Sequence, residues 1–185
     1  MNKFTASGKA AAFALLLLGS TATIAAETAP RIGDFSLLDA EGYFHQMSWY
    51  DDHKALVLLS YSNDDKQLST MLGAFSELRD NAGDSFEFFL IDSQGKRNRS
   101  DIAAAMAHAG ISLPVLMDDA QLVGEALGLS MSGEVVVFDP KGFSVIARGF
   151  GEQALPVVSE LLAALDHGAE TSSTVAAVSA TKPDA

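Results

Sequence analysis

The sequence predicts an α/β domain in which a mixed central sheet is flanked by helices, with a β-hairpin at its N-terminal side. Three observations lead there. Residues 55–61, 86–91 and 134–138 are mostly apolar runs of strand length, the pattern of strands buried on both faces. The segments between them carry apolar residues at helical spacing. Turn residues joining short extended stretches stand before the first run and after the last. Strands that alternate with helices imply a parallel βαβ core, and the two hairpins add antiparallel strands to it.

The elements follow in order. Residues 35–38 and 43–47 read as a hairpin around the turn signal Asp39-Ala40-Glu41-Gly42. After the first buried run, Leu68, Met71, Leu72, Phe75 and Leu78 form one apolar helical stripe, with the polar stretch 62–65 available to cap it. Beyond the second run, Ser100 is the expected cap of a helix that turns Ile102, Ala103, Met106 and Ala109 inward and stops at Gly110. Residues 113–117 are extended around Pro114. Asp118 or Asp119 opens a short helix with Leu122, Val123, Ala126 and Leu127, closed by Gly128. The third run ends in the turn signal Asp139-Pro140-Lys141-Gly142, and residues 143–148 return antiparallel to it. Pro156 starts a last helix with Val157, Leu161, Leu162 and Leu165 inward and Gly168 past its end. This order of elements resembles the thioredoxin arrangement.

Three segments are expected. Residues 1–26 read as a secretory signal: Lys3 and Lys9 precede a short apolar run at 10–18, and small residues lead to cleavage after Ala25 or Ala26. Residues 27–167 form the folded domain. Residues 168–185, rich in Ala, Ser, Thr and Val without periodicity, read as a disordered tail. The mature protein is therefore expected in the periplasm or secreted, with no stable membrane insertion after cleavage. The formal net charge of −12 becomes about −14 once two lysines and no acid leave with the signal. So acidic a surface repels phosphate backbones, and no nucleic-acid partner is expected. The chain has no cysteine, which excludes disulfides, thiolate nucleophiles and Cys-ligated zinc.

Four stretches carry a resemblance to a known family: GDFSLLDAEGYFHQMSWY (33–50), ALVLLSYSND (55–64), PVLMDDAQLVGEALGL (114–129) and EVVVFDPKG (134–142). Over roughly residues 30–165 the chain resembles the redoxin family, the alkyl hydroperoxide reductase/thiol-specific antioxidant branch of the thioredoxin-like superfamily, as a degenerate member without cysteines. The resemblance implies a nucleophilic cysteine where the first core strand meets its helix, since the helix N-terminus lowers a thiol's pKa. Here that stretch is Ser62-Asn63-Asp64-Asp65-Lys66, with Asp65 at the nucleophile position. An aspartate accepts the helix's free N–H bonds but does not attack peroxides or disulfides. The family's cis-proline before the third core strand falls on Gly133. A non-proline cis bond costs about 2.5–4 kcal/mol, so a trans peptide is expected.

The vestigial-site candidates are Asn63, Asp64, Asp65, Gly133 and Glu134, read as a plain cap cluster or as a small polar site able to bind a cation or do acid–base work. His45, His53, His108 and His167 lack the i, i+3 or i, i+4 spacing of a helical metal pair, and only His45 and His53 lie close enough in the fold to examine together. Arg148 reads as a surface or ion-paired residue, and Lys96-Arg97-Asn98-Arg99 as a solvated loop. Tyr43, Phe44, Trp49 and Tyr50 make the hairpin aromatic, and Trp49 with Tyr50 would form a partner surface if exposed together.

No catalytic residue, metal set or cofactor is assigned. The expected function is a non-catalytic binding or accessory module that engages another protein of the cell envelope. The alternatives are a redox or antioxidant protein of peroxiredoxin-like type, through methionine oxidation for example, and a ligand- or metal-assisted enzyme using the polar residues at the former thiol site.

Overall fold

The computed structural model describes residues 31–62, 65, 68–92 and 98–168. The signal at 1–26, Asn63 and Asp64, the Lys96-Arg97 pair and the tail beyond Gly168 lie outside the described residues. Among those described, no helix is long and apolar enough to cross a membrane.

The apolar runs become strands because their backbone groups pair on both sides. Strand β1 (Ser36–Asp39) and β2 (Phe44–Gln46) form the first hairpin, and a 3-10 turn follows at Met47–Tyr50. Then come β3 (Ala55–Ser60), helix α1 (Leu68–Ala82), β4 (Phe86–Asp92), α2 (Arg99–Ala109), β5 (Val115–Met117), α3 (Leu122–Leu127), β6 (Glu134–Asp139), β7 (Ser144–Phe150) and α4 (Ala154–Asp166). They build one sheet in the order β2-β1-β5-β4-β3-β6-β7. Only β3, β4 and β5 run parallel; every other pairing is antiparallel. All six residues of β3 are buried, as a strand at the centre of a doubly covered sheet must be.

Alternation along the strands divides the core in two. Val57, Leu59, Phe88 and Leu90 pack with α1, α2 and α4, whose stripes supply Phe75, Ile102 and Leu161. Leu56, Leu58, Phe89 and Ile91 face the other way, towards Met47 of the 3-10 turn and Leu127 of α3. The lead segment crosses this second side. Arg31 bridges Ser144 on β7, the Ile32 N–H donates to the Phe143 carbonyl at 2.7 Å, and the Phe35 carbonyl accepts from Met47 N–H at 3.0 Å.

Several local readings change. Asn98, not Ser100, caps α2: its backbone is extended and its side chain accepts from Ser100 N–H at 3.2 Å. Ala109 is exposed, and so are Leu122 and Ala126, because a helix as short as α3 docks by one side only, through Gly124 and Leu127. Helix α4 starts at Ala154, so Pro156 stands inside its first turn, where a missing N–H leaves no intrahelical bond unmade. This early start puts Ala154 directly over Gly149 of β7. A Cβ added at Gly149 would lie 2.4 Å from that of Ala154. The Gly149→Ala variant is therefore expected to lose about 1–3 kcal/mol in urea unfolding through overpacking; an unchanged midpoint would contradict the close strand–helix approach.

Candidate functional site

The position expected for a thiol lies where β3 gives way to α1. Asp65 is half-buried there, its N–H donating to the Ser62 carbonyl at 3.1 Å and its carbonyl accepting from Leu68 N–H at 3.2 Å. Gly133 sits across from this turn. It donates to the Ser60 carbonyl at 2.9 Å, and a Cβ on it would face Leu68 and Met71 of α1 at 3.7–3.9 Å. Asp65 and Gly133 thus lie at the same end of α1. No peptide in the described residues is cis.

The conformation of Gly133 departs from the thiol-site pattern. Its φ is +87°, whereas the proline ring holds φ near −65°. Proline is sterically excluded at that φ. Glu134 ties down the loop before β6. Its carboxylate accepts from Ser130 N–H at 2.5 Å, from Met131 N–H at 3.0 Å and from the Ser130 hydroxyl at 3.3 Å. A carboxylate so engaged closes its own loop and is not held ready as an acid or base towards Asp65. Beside it the Ser132 hydroxyl is buried with no hydrogen-bond partner among the described residues. Arg148 is half-buried and donates to the Leu127 carbonyl, covering the C-terminal end of α3, where a cation suits the helix dipole. Burial lowers the Arg148 pKa, with the charge of Glu134 pulling the other way.

A second polar cluster is more fully formed, and it contains the histidine pair. Asp39, 4% exposed, accepts from the N–H groups of Glu41, Gly42 and Tyr43 at 2.8–2.9 Å through one oxygen. Its other oxygen meets His45 Nε2 at 2.9 Å. A carboxylate only accepts, so Nε2 carries the proton, and in the neutral ring Nδ1 then accepts from the Tyr50 hydroxyl at 2.7 Å. Burial, reinforced by the charges of Glu87 and Asp39, raises the Tyr50 pKa and keeps that hydroxyl protonated. Both rings rest edge-on against Phe89 of β4 at 5.3 Å, and Tyr50 meets the ring of His53 at 5.6 Å. His53 in turn contacts Asp52 at 2.7 Å. The arrangement is a carboxylate–imidazole–phenol chain with every inner atom partnered. It locks the hairpin and the 3-10 turn to the sheet. His108, on α2, and His167, at the end of α4, are exposed.

The lock also decides which rings face solvent. Tyr50 turns inward onto His45 and Phe89, so Trp49 and Tyr50 are not exposed together. Trp49, 61% exposed, instead packs against Phe44 with ring centroids 5.3 Å apart. Leu38 stands opposite Phe44 across the hairpin and is also exposed, as is Tyr43. On the inner side of the turn a cleft of about 310 Å³ opens between Asp39–Glu41, Ala103 and Met106 of α2, and Pro114. Asp34 anchors the far end of the patch, accepting from Gln46 Nε2 at 2.7 Å and Ser48 N–H at 3.0 Å. Slight burial acts to raise its pKa, but these hydrogen bonds prevail and hold it below the ordinary 3.8. A carboxyl depressed in the folded state stabilises above its unfolded pKa and loses that contribution as pH falls through the folded one. As pH falls through that lowered pKa, below the ordinary 3.8, the Asp34 latch is accordingly expected to open. Trp49 emission should then shift on acidification, and the shift should shrink in Asp34→Asn.

The chain matches no family model, and no curated protein matches it in sequence. Solved structures do match. The exposed lipoprotein thioredoxin of Streptococcus pneumoniae superposes with a TM-score of 0.59 at 20% identity, over 71% of this chain and 98% of its own. A thiol:disulfide interchange protein from Chlorobium tepidum gives 0.63 at 15% identity, over 75% and 98%. A hypothetical protein from Sinorhizobium meliloti gives 0.57 at 22% identity, over 65% and 69%. At such identities the likeness establishes the fold: this chain has a thioredoxin-like fold, with no cysteine in its sequence.

Proposed function

We propose that this chain is an exported redoxin-type protein that performs no thiol chemistry and serves in the cell envelope as a binding or accessory module for another envelope protein. One observation carries the reading. The fold is thioredoxin-like, yet the chain has no cysteine and the backbone at Gly133 cannot accept the proline of a thiol site. The position expected for a thiol carries a carboxylate, and the carboxylate of Glu134, next to Gly133 in the chain, is engaged by its own loop. What the domain offers outward is an exposed aromatic patch, held in place by a fully partnered polar lock. Patches of that kind mark surfaces for partners.

The test pairs activity with location. The mature protein is incubated with hydrogen peroxide and with insulin disulfides in the presence of dithiothreitol. The expected rate is that of the reductant alone. Turnover above that rate would overturn the non-catalytic reading, and retention of the full-length chain in the cytoplasm would overturn the envelope assignment.

A further inference from the structure

We propose that the free edge of β2 captures an extended peptide segment of the partner as an added strand, one with an apolar side chain flanked by lysines or arginines. This rests on the reading of the chain as a binding module and specifies the chemistry of what it binds.

The register of the hairpin sets the geometry. Asp39 N–H donates to the Tyr43 carbonyl and Met47 N–H to the Phe35 carbonyl, so Tyr43, His45 and Met47 direct their backbone groups towards β1. Phe44 and Gln46 alternate with them, and their N–H and C=O groups point away from the sheet. Strand β2 ends the sheet order, and among the described residues nothing pairs with that edge. The opposite edge differs, because β7 is bridged by Arg31 at Ser144. An added strand at β2 would find four unpaired backbone groups, which is how edge strands accept peptides.

The side chains choose the occupant. A residue of the incoming strand beside Phe44 would lie on the face carrying Phe44, Leu38 and Trp49, an apolar platform. The segments next to it are acidic: Asp34 bonds Gln46 and Ser48, exposed Glu41 stands in the hairpin turn, and exposed Asp51 and Asp52 follow the 3-10 turn. The Arg99 guanidinium of α2 approaches Gly42 at the turn. A basic segment satisfies this rim. A second copy of this chain would set like charges against one another.

Trp49 is the sole tryptophan, so its emission reports the patch directly. The probe is a short synthetic peptide alternating valine and lysine around one central phenylalanine. Two control peptides accompany it, one with glutamate for lysine and one N-methylated at alternate amides. The lysine peptide is expected to blue-shift Trp49 emission and to slow amide exchange at Phe44 and Gln46. Phe44→Ala should weaken it about tenfold, as should Trp49→Ala followed by amide exchange. Equal affinity for the N-methylated peptide would overturn strand addition. Equal affinity for the glutamate peptide would overturn the basic occupant, and concentration-dependent dimerisation through Phe44 would replace it with a second copy. Co-purification of an envelope protein that survives Phe44→Ala and Trp49→Ala would remove this edge while leaving the binding-module reading intact.

Discussion

Replacing Asp39 with alanine is expected to lower the unfolding free energy by about 2–4 kcal/mol. The side chain is nearly inaccessible and accepts from three backbone N–H groups and from His45. Hydrogen bonds to a charged acceptor contribute about 1.5–3 kcal/mol each, but the freed N–H groups lie in an exposed turn and regain water, so the loss falls below the sum. His45 does not recover in this way, since its Nε2–H is left without an acceptor in a ring packed on Phe89. Asp39→Asn keeps one oxygen for the turn and should cost clearly less. Urea unfolding of Asp39→Ala, His45→Ala and the double variant measures their coupling. Additive losses would mean that the two side chains do not act as one lock.

Phe89→Ala should cost more, about 3–5 kcal/mol, the range for removing a buried aromatic ring from a core. Phe89 is 1% exposed at the centre of the sheet and supports both His45 and Tyr50. Its loss combines a cavity with two lost ring contacts, each of about 0.5–1.5 kcal/mol. Phe89→Leu restores much of the volume without the ring, so comparison of the two variants separates packing from aromatic support. If the ring supports the patch, Trp49 emission should change in folded Phe89→Leu as well. An unaltered spectrum would show that the patch is organised without it.

The aromatic patch shows where reading residues in order stops being enough. An aromatic-rich hairpin is visible in 43–50, and so is the possibility of a partner surface. Which rings face out is not visible. The 3-10 turn buries Met47, sends Trp49 onto Phe44 and turns Tyr50 towards His45, and the ring that supports them comes from β4. The same holds at the former thiol position. Asp65 and Gly133 can be placed opposite one another from the order of strands, but the positive φ of Gly133 and the commitment of Glu134 to Ser130 and Met131 depend on the course of a loop.

The sequence by itself determined the architecture and the absence of thiols. Apolar runs as long as β3 must be buried on both faces, helical stripes must cover them, and a chain without cysteine has no thiolate whatever its fold. Tertiary structure alone decided how the polar and aromatic residues are used. Asp39, His45 and Tyr50 share no periodic spacing; the hairpin register and the support of Phe89 bring them into one chain of hydrogen bonds, and that chain fixes which rings are left at the edge of the sheet.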